Sequence, residues 1–225
     1  MSKVSDDSFI SVLEKFYNYL GKSKYVDNDK VYLLHAFKGI ENLWIENLKL
    51  LKKLNFVLIG EAPLYKDGKS YFYNPDSGAT NFFNYKNCED ICGKLISSSK
   101  LKNGQRLKKH EMLDKLCYKG FLILDAFPFC FADGYTIVNY RKLKKIDLVF
   151  LFNLIKCDFL VEKLTLIFHK NPNVKFGFRY SINQKSIGEE FQKTVTEIGF
   201  KNIKNIPSFH EKRNLNSKLI ETKFF

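Results

Sequence analysis

Arginine is scarce in a chain that is otherwise strongly basic. Of the 37 Lys and Arg residues only Arg106, Arg141, Arg179 and Arg213 are arginine, and the formal net charge is +13. Such a balance suits a polyanion partner. A chain rich in Lys, Asn, Phe, Tyr and Ile also fits the codon bias of an AT-rich genome, with lysines spread over a solvated surface. Cysteine is sparse: the five stand at 88, 92, 117, 130 and 157, an odd and scattered set that argues against a disulfide framework. Cys88 and Cys92 share a helical face by their spacing, but no His or second close pair accompanies them, so buried thiols are expected and no metal. Apolar runs long enough to span a membrane are missing. The polar, acidic start at Met1–Asp7 lacks the apolar segment of a signal peptide. A soluble, cytoplasmic protein is expected. Neither GxGxxG nor GxxxxGK[ST] occurs, which weighs against an enzyme that cradles phosphates in a Gly-rich loop.

What the chain does have is one organising stretch, Phe56-Val57-Leu58-Ile59-Gly60-Glu61-Ala62-Pro63. A short apolar run rich in β-branched residues that stops at Gly, a carboxylate and Pro reads as a buried parallel strand reaching the rim of its sheet. Gly60 permits a tight turn, and Pro63 keeps the backbone before it out of the helical region. Glu61 then falls at the carboxyl end of a strand, where open α/β sheets bind ligands. Lys66 and Lys69 follow in a polar turn, then the rings of Tyr71, Phe72 and Tyr73. A carboxylate, a basic turn and flat rings suit a planar, anionic ligand. The same letters also fit a strand end with a capping Glu and an ordinary aromatic loop.

Taken in order, residues 9–20 and 33–51 carry apolar groups at helical spacing, with His35 set aside as structural. Short helices are expected at 87–96 and 107–118. A second strand follows at 121–126, again continuously apolar, ending at Asp125 before Pro128. Residues 139–169 read as mostly helical, although 150–152 and 164–168 could be strands. A third strand is expected at 174–180, a helix at 186–198, and a fourth strand at 202–206 running into Pro207-Ser208-Phe209-His210 and a basic tail. Strands of one grammar separated by helices indicate a parallel sheet with right-handed crossovers. No repeat or low-complexity linker divides residues 1–225, so one domain is expected, with helices over 1–54 leading into a core over 55–215.

With strands ending in Gly-Glu-Ala-Pro, Asp-Ala-Phe-Pro and Pro-Ser-Phe-His, the chain resembles the uracil-DNA glycosylase superfamily. The resemblance implies a single three-layer α/β/α domain around a four-stranded parallel sheet. Gly60 to Pro63 match the first motif of one branch, and Phe72 matches the ring that stacks on a flipped base. Asp125 stands where an Asn or a variant reads the base edge. Pro207 and Ser208 match the final His-Pro-Ser motif, and 209–214 would form the loop that wedges into the duplex. The chain departs from the pattern at Leu64, where the motif has Gly, and at Ile206, where it has His; His210 is close enough to substitute. With no Cys before position 88, the iron–sulfur cluster of that branch is not expected, nor any other cofactor.

The resemblance implies a monomeric DNA-binding enzyme that hydrolyses the N-glycosidic bond of a flipped uracil or related deaminated base. Glu61 would position water and oppose cationic charge on the sugar, and His210 would stabilise the departing base. Gly60, Ala62, Phe72 and Asp125 would enclose that base. Pro63, Lys66, Lys69, Pro207, Ser208, Lys212 and Arg213 would contact DNA. An ionised Asp125 cannot donate to a uracil carbonyl, so the base itself stays open. A domain of the same fold that binds DNA or a protein without catalysis is the alternative.

Overall fold

The computed structural model describes residues 4–65, 70–78, 82–96, 102–201, 203, 205–211 and 214–225. The chain enters through α1 (Asp6–Tyr19), capped by the Ser5 hydroxyl, which accepts from the Ser8 amide at 3.1 Å, with Asp6 and Asp7 favourably placed in the first turn. A longer helix, α2 (Val26–Leu50), presents Leu33, Phe37, Ile40, Trp44 and Leu48 to the core, as the spacing requires. The first strand, β1 (Phe56–Gly60), is buried along its whole length. Then come α3 (Tyr85–Cys92), α4 (Lys102–Lys119) and β2 (Phe121–Asp125).

Residues 145–170 are entirely helical: α5 (Lys145–Ile155), a π-helical turn at Lys156–Leu160 and α6 (Val161–Lys170). The strand alternatives at 150–152 and 164–168 therefore fall; Leu164 and Ile167 are buried one helical turn apart. After β3 (Lys175–Phe178) and α7 (Ser181–Ile198), β4 (His210–Glu211) pairs antiparallel with β5 (Asn214–Leu215). The region expected as a basic tail closes instead in α8 (Ser217–Phe224), capped by Asn216.

The sheet is parallel, in the order β2-β1-β3. Gly60 lies opposite Asp125 and Ile59 opposite Phe178. Among the described residues it has three strands, where four were expected. At the place of the fourth there is one bridge, Ser208 beside Phe178: the Phe178 amide donates to Pro207 O at 2.8 Å and the Phe209 amide to Phe178 O at 2.9 Å. Two features keep a longer strand from forming there. Asn205 sits at φ +48°, which ends an extended run, and Pro207 has no N–H for a ladder. Residues 202 and 204, inside the expected strand, lie outside the described residues.

Alternation along the strands sends side chains to opposite faces. Phe176 and Phe178 meet Phe191 of α7, whereas Phe56 meets Phe209 and Phe224 of α8. Helices thus cover both faces. The outer edge of β2 is closed by side chains: Tyr73 Oη accepts from the Ile123 amide at 2.6 Å, and Trp44 Nε1 donates to Ile123 O at 2.9 Å. One hydrophobic cluster runs from Phe9 to Ile220 and includes Cys88 and Cys130. No described helix is long and apolar enough to cross a membrane.

Candidate functional site

From β1 the chain winds to β2 on one side and must then cross over to β3 on the other. The carboxyl end of β1 is therefore a switch point, where the crossovers diverge and leave a crevice. Beyond the sheet the two loops are held together by the Ala126 amide donating to Gly60 O at 3.2 Å and the Phe127 amide donating to Glu61 O at 3.0 Å.

Glycine at 60 answers a steric demand. A Cβ there would stand 2.7 Å from Asp125 Oδ1 and 3.1 Å from the Phe82 ring. The missing side chain lets a carboxyl and an aromatic ring close over the strand end. In front of them opens a cleft of about 470 Å³, lined by Glu61, Ala62, Pro63, Phe72 and Asp125 among others. Its size is in the usual range for small-ligand sites. Six further rings contribute to its walls: Tyr71, Tyr73, Phe82, Phe131, Tyr140 and Tyr180, with Arg141 at the margin.

Burial dominates the electrostatics. It pushes the Asp125 carboxyl up to about 7; Glu41 and Glu61 add to the effect, while Lys163 pulls the other way. Lys163 itself is ion-paired with Glu41 and lies over the Trp44 ring. Burial also raises Glu61. Tyr71 and Tyr140 are raised so far by burial that both stay neutral at any ordinary pH. Two half-buried carboxyls and a set of neutral phenols in one aromatic cleft can handle protons and hold a flat polar molecule.

Comparison with family models, curated proteins and solved structures finds no match to this chain. The site thus stands on its own geometry.

The sequence expectations separate into three groups. Glu61, Ala62, Pro63, Phe72 and Asp125, drawn from segments far apart in sequence, share the cleft, and Gly60 underlies it. Pro207, Ser208 and His210 are not among the cleft residues. His210 packs edge-on to Tyr180, a ring of the cleft wall, and lies 3.4 Å from the Ser181 hydroxyl through Nδ1, without lining the cleft itself. Lys66, Lys69, Lys212 and Arg213 lie outside the described residues. Phe72 is packed within the protein on several sides: it meets Tyr73 and Phe83 edge-on, and the buried Lys109 ammonium sits 4.7 Å from its ring centre.

Several residues escaped the sequence reading. Phe82, over Gly60, sits in a loop with no pattern to mark it. Tyr180 had a signal, since it stands at the carboxyl end of an apolar strand, two residues past β3, near where Glu61 and Asp125 stand on theirs. Arg179 is a charge in an otherwise apolar strand end. It is buried, its Nε donates to Phe82 O at 2.9 Å, and its guanidinium lies 4.7 Å from the Tyr180 ring centre. It thereby ties together two rings of the cleft wall.

Proposed function

We propose that this protein is a monomeric DNA glycosylase-like protein that takes a uracil or related deaminated base out of the DNA stack and hydrolyses its N-glycosidic bond. The observation that carries this reading is the meeting of Glu61, Phe72 and Asp125 in one aromatic cleft at the carboxyl edge of a parallel sheet. In the same reading the bridge at Ser208 is the stub of a fourth strand, and the segment after it faces the duplex.

Hydrolysis breaks the bond from C1′ to the base nitrogen; the base leaves with the electron pair and later takes a proton. Water oxygen bonds to C1′ and gives its proton to Glu61, whose carboxylate also opposes the positive charge on the sugar. Glu61 must be ionised for this, and its raised pKa makes it the stronger base. Asp125 faces the edge of the base, and Phe82, with Phe72, supplies apolar ring surface.

One observation favours the non-catalytic alternative. Ile206 is buried, and His210 touches Tyr180 but is not among the cleft residues, so no imidazole lines the cleft among the described residues to stabilise a departing base. Single-turnover assays on oligonucleotides carrying uracil, hypoxanthine or a thymine mismatch test the two readings. Excision of one of these supports the glycosylase. Tight binding of the oligonucleotide with every glycosidic bond intact supports the binding protein.

A further inference from the structure

The Asp125 carboxyl has an unusual position for a charged group. Its Oδ1 fills the space that any Cβ at residue 60 would need, and its other side opens into the cleft. No hydrogen-bond donor among the described residues reaches it. The cation that acts on it, Lys163 from α6, is already paired with Glu41 from α2. The other titratable groups facing it are Glu61 after β1, Tyr71 and Tyr73 from the loop beyond, Cys130 and Tyr140 after β2, and Tyr180 before α7. All but Glu61 are neutral near pH 7, and Glu61, when ionised, repels a second negative charge. In this shell only Lys163, already paired with Glu41, favours a carboxylate, and burial outweighs it.

We propose that Asp125 works as a neutral carboxylic acid and that the cleft thereby selects a planar lactam or imide, a ring N–H beside a carbonyl. The acid offers an O–H donor next to a C=O acceptor, and a lactam edge offers the complement, so two parallel hydrogen bonds form. The carboxylate offers two acceptors and leaves the ligand carbonyl facing negative charge with no donor. Aromatic walls formed by Phe82 and Tyr180 accept a flat ring. Recognition therefore switches off as Asp125 ionises. Identifying the lactam as a DNA base rests on the glycosylase reading; the recognition chemistry does not.

The pH dependence has a definite sign. With the carboxyl at about 7, the neutral form prevails at pH 6 and the carboxylate at pH 8.5. One-proton linkage then weakens lactam binding about thirtyfold between those pH values.

The test uses the full chain and free uracil as the probe, with 3-methyluracil, which lacks the ring N–H, as control. Affinity is measured from pH 6 to 8.5 for the wild type and Asp125→Asn, whose amide presents a permanent donor and acceptor. The expected result is a steep loss for the wild type, a flat profile for the variant, and no binding of 3-methyluracil. Carboxyl carbon NMR of the wild type gives a second readout that needs no variant: uracil should raise the Asp125 titration midpoint. A pH-independent wild-type affinity, an unmoved midpoint, or no uracil binding at pH 6 overturns the proposal. Uracil binding with the expected pH profile but no cleavage of any oligonucleotide upholds it and sinks the glycosylase reaction. Cleavage without the pH dependence does the reverse.

Discussion

Gly60→Ala is the sharpest test of how the cleft is built. Gly60 has no left-handed φ, so alanine brings no backbone strain there, and its cost comes from contact alone. The added methyl would stand 2.7 Å from Asp125 Oδ1 and 3.1 and 3.2 Å from two carbons of the Phe82 ring. The contact with Asp125 is untenable, so the carboxyl must shift, while the Phe82 ring must give by a few tenths of an ångström. Phe82 is only half-buried and can yield. Asp125 is packed between the sheet and the cleft, and displacing it spoils the surface it shows to a ligand. Overpacking of this kind costs about 1–3 kcal/mol. For a chain of this size, a loss of 2 kcal/mol corresponds to a melting temperature lower by about 4–8 °C. Thermal melts followed by circular dichroism read the stability, and uracil binding at pH 6 reads the cleft. Gly78→Ala is the matched control, because nothing lies within 4 Å of its Cβ position. If Gly60→Ala melts with Gly78→Ala and binds as the wild type does, Asp125 is not seated against Gly60 and the cleft geometry argued above is wrong.

Other consequences follow from the same contacts. Tyr73→Phe removes the hydroxyl that accepts from the Ile123 amide and leaves a buried N–H without a partner, a loss of about 1–3 kcal/mol that urea denaturation should register. Asp125 is raised in the folded chain, so the fold holds its proton more tightly than the unfolded chain does. Its contribution is fully present below the unfolded value and is lost as pH rises towards about 7. Asp125→Asn should accordingly lose less stability than the wild type between pH 4.5 and 8 in paired urea melts. If Lys66, Lys69, Lys212 and Arg213 track a nucleic-acid backbone, log affinity for duplex DNA should fall against log salt with a slope of about −0.9 per phosphate contacted. A flat response would return the +13 charge to codon bias.

The parts of the fold that were legible in the sequence are those where local chemistry and tertiary position agree. Phe56–Gly60 and Phe121–Asp125 are buried on both faces, so their continuous apolar runs announced them, and each stops at a polar group because the sheet stops there. Glu61 and Asp125 are readable as strand-end residues at one rim of the sheet for that reason. Of the fourth strand the described residues show one bridge, because Lys201–Ile206 looks extended in composition while a left-handed Asn205 and a proline at the sheet edge act through geometry. Helix α8 reads in sequence as a basic tail because Lys218 and Lys223 flank its short apolar set, of which Ile220 and Phe224 pack inward. Phe82 had no local mark at all; its place follows from the space left by Gly60, a relation between residues that only the folded chain reveals.

The central claim is that Glu61 performs chemistry on a base held in this cleft. The most direct measurement is single-turnover cleavage of a uracil-containing oligonucleotide by the wild type and Glu61→Gln, with DNA affinity measured in parallel. Loss of a water-positioning, charge-opposing carboxylate should slow the chemical step by about 10²–10⁴-fold. DNA affinity should stay nearly unchanged. Equal cleavage rates for the two proteins, or a wild type that binds the oligonucleotide and cleaves none of its glycosidic bonds, would contradict the account.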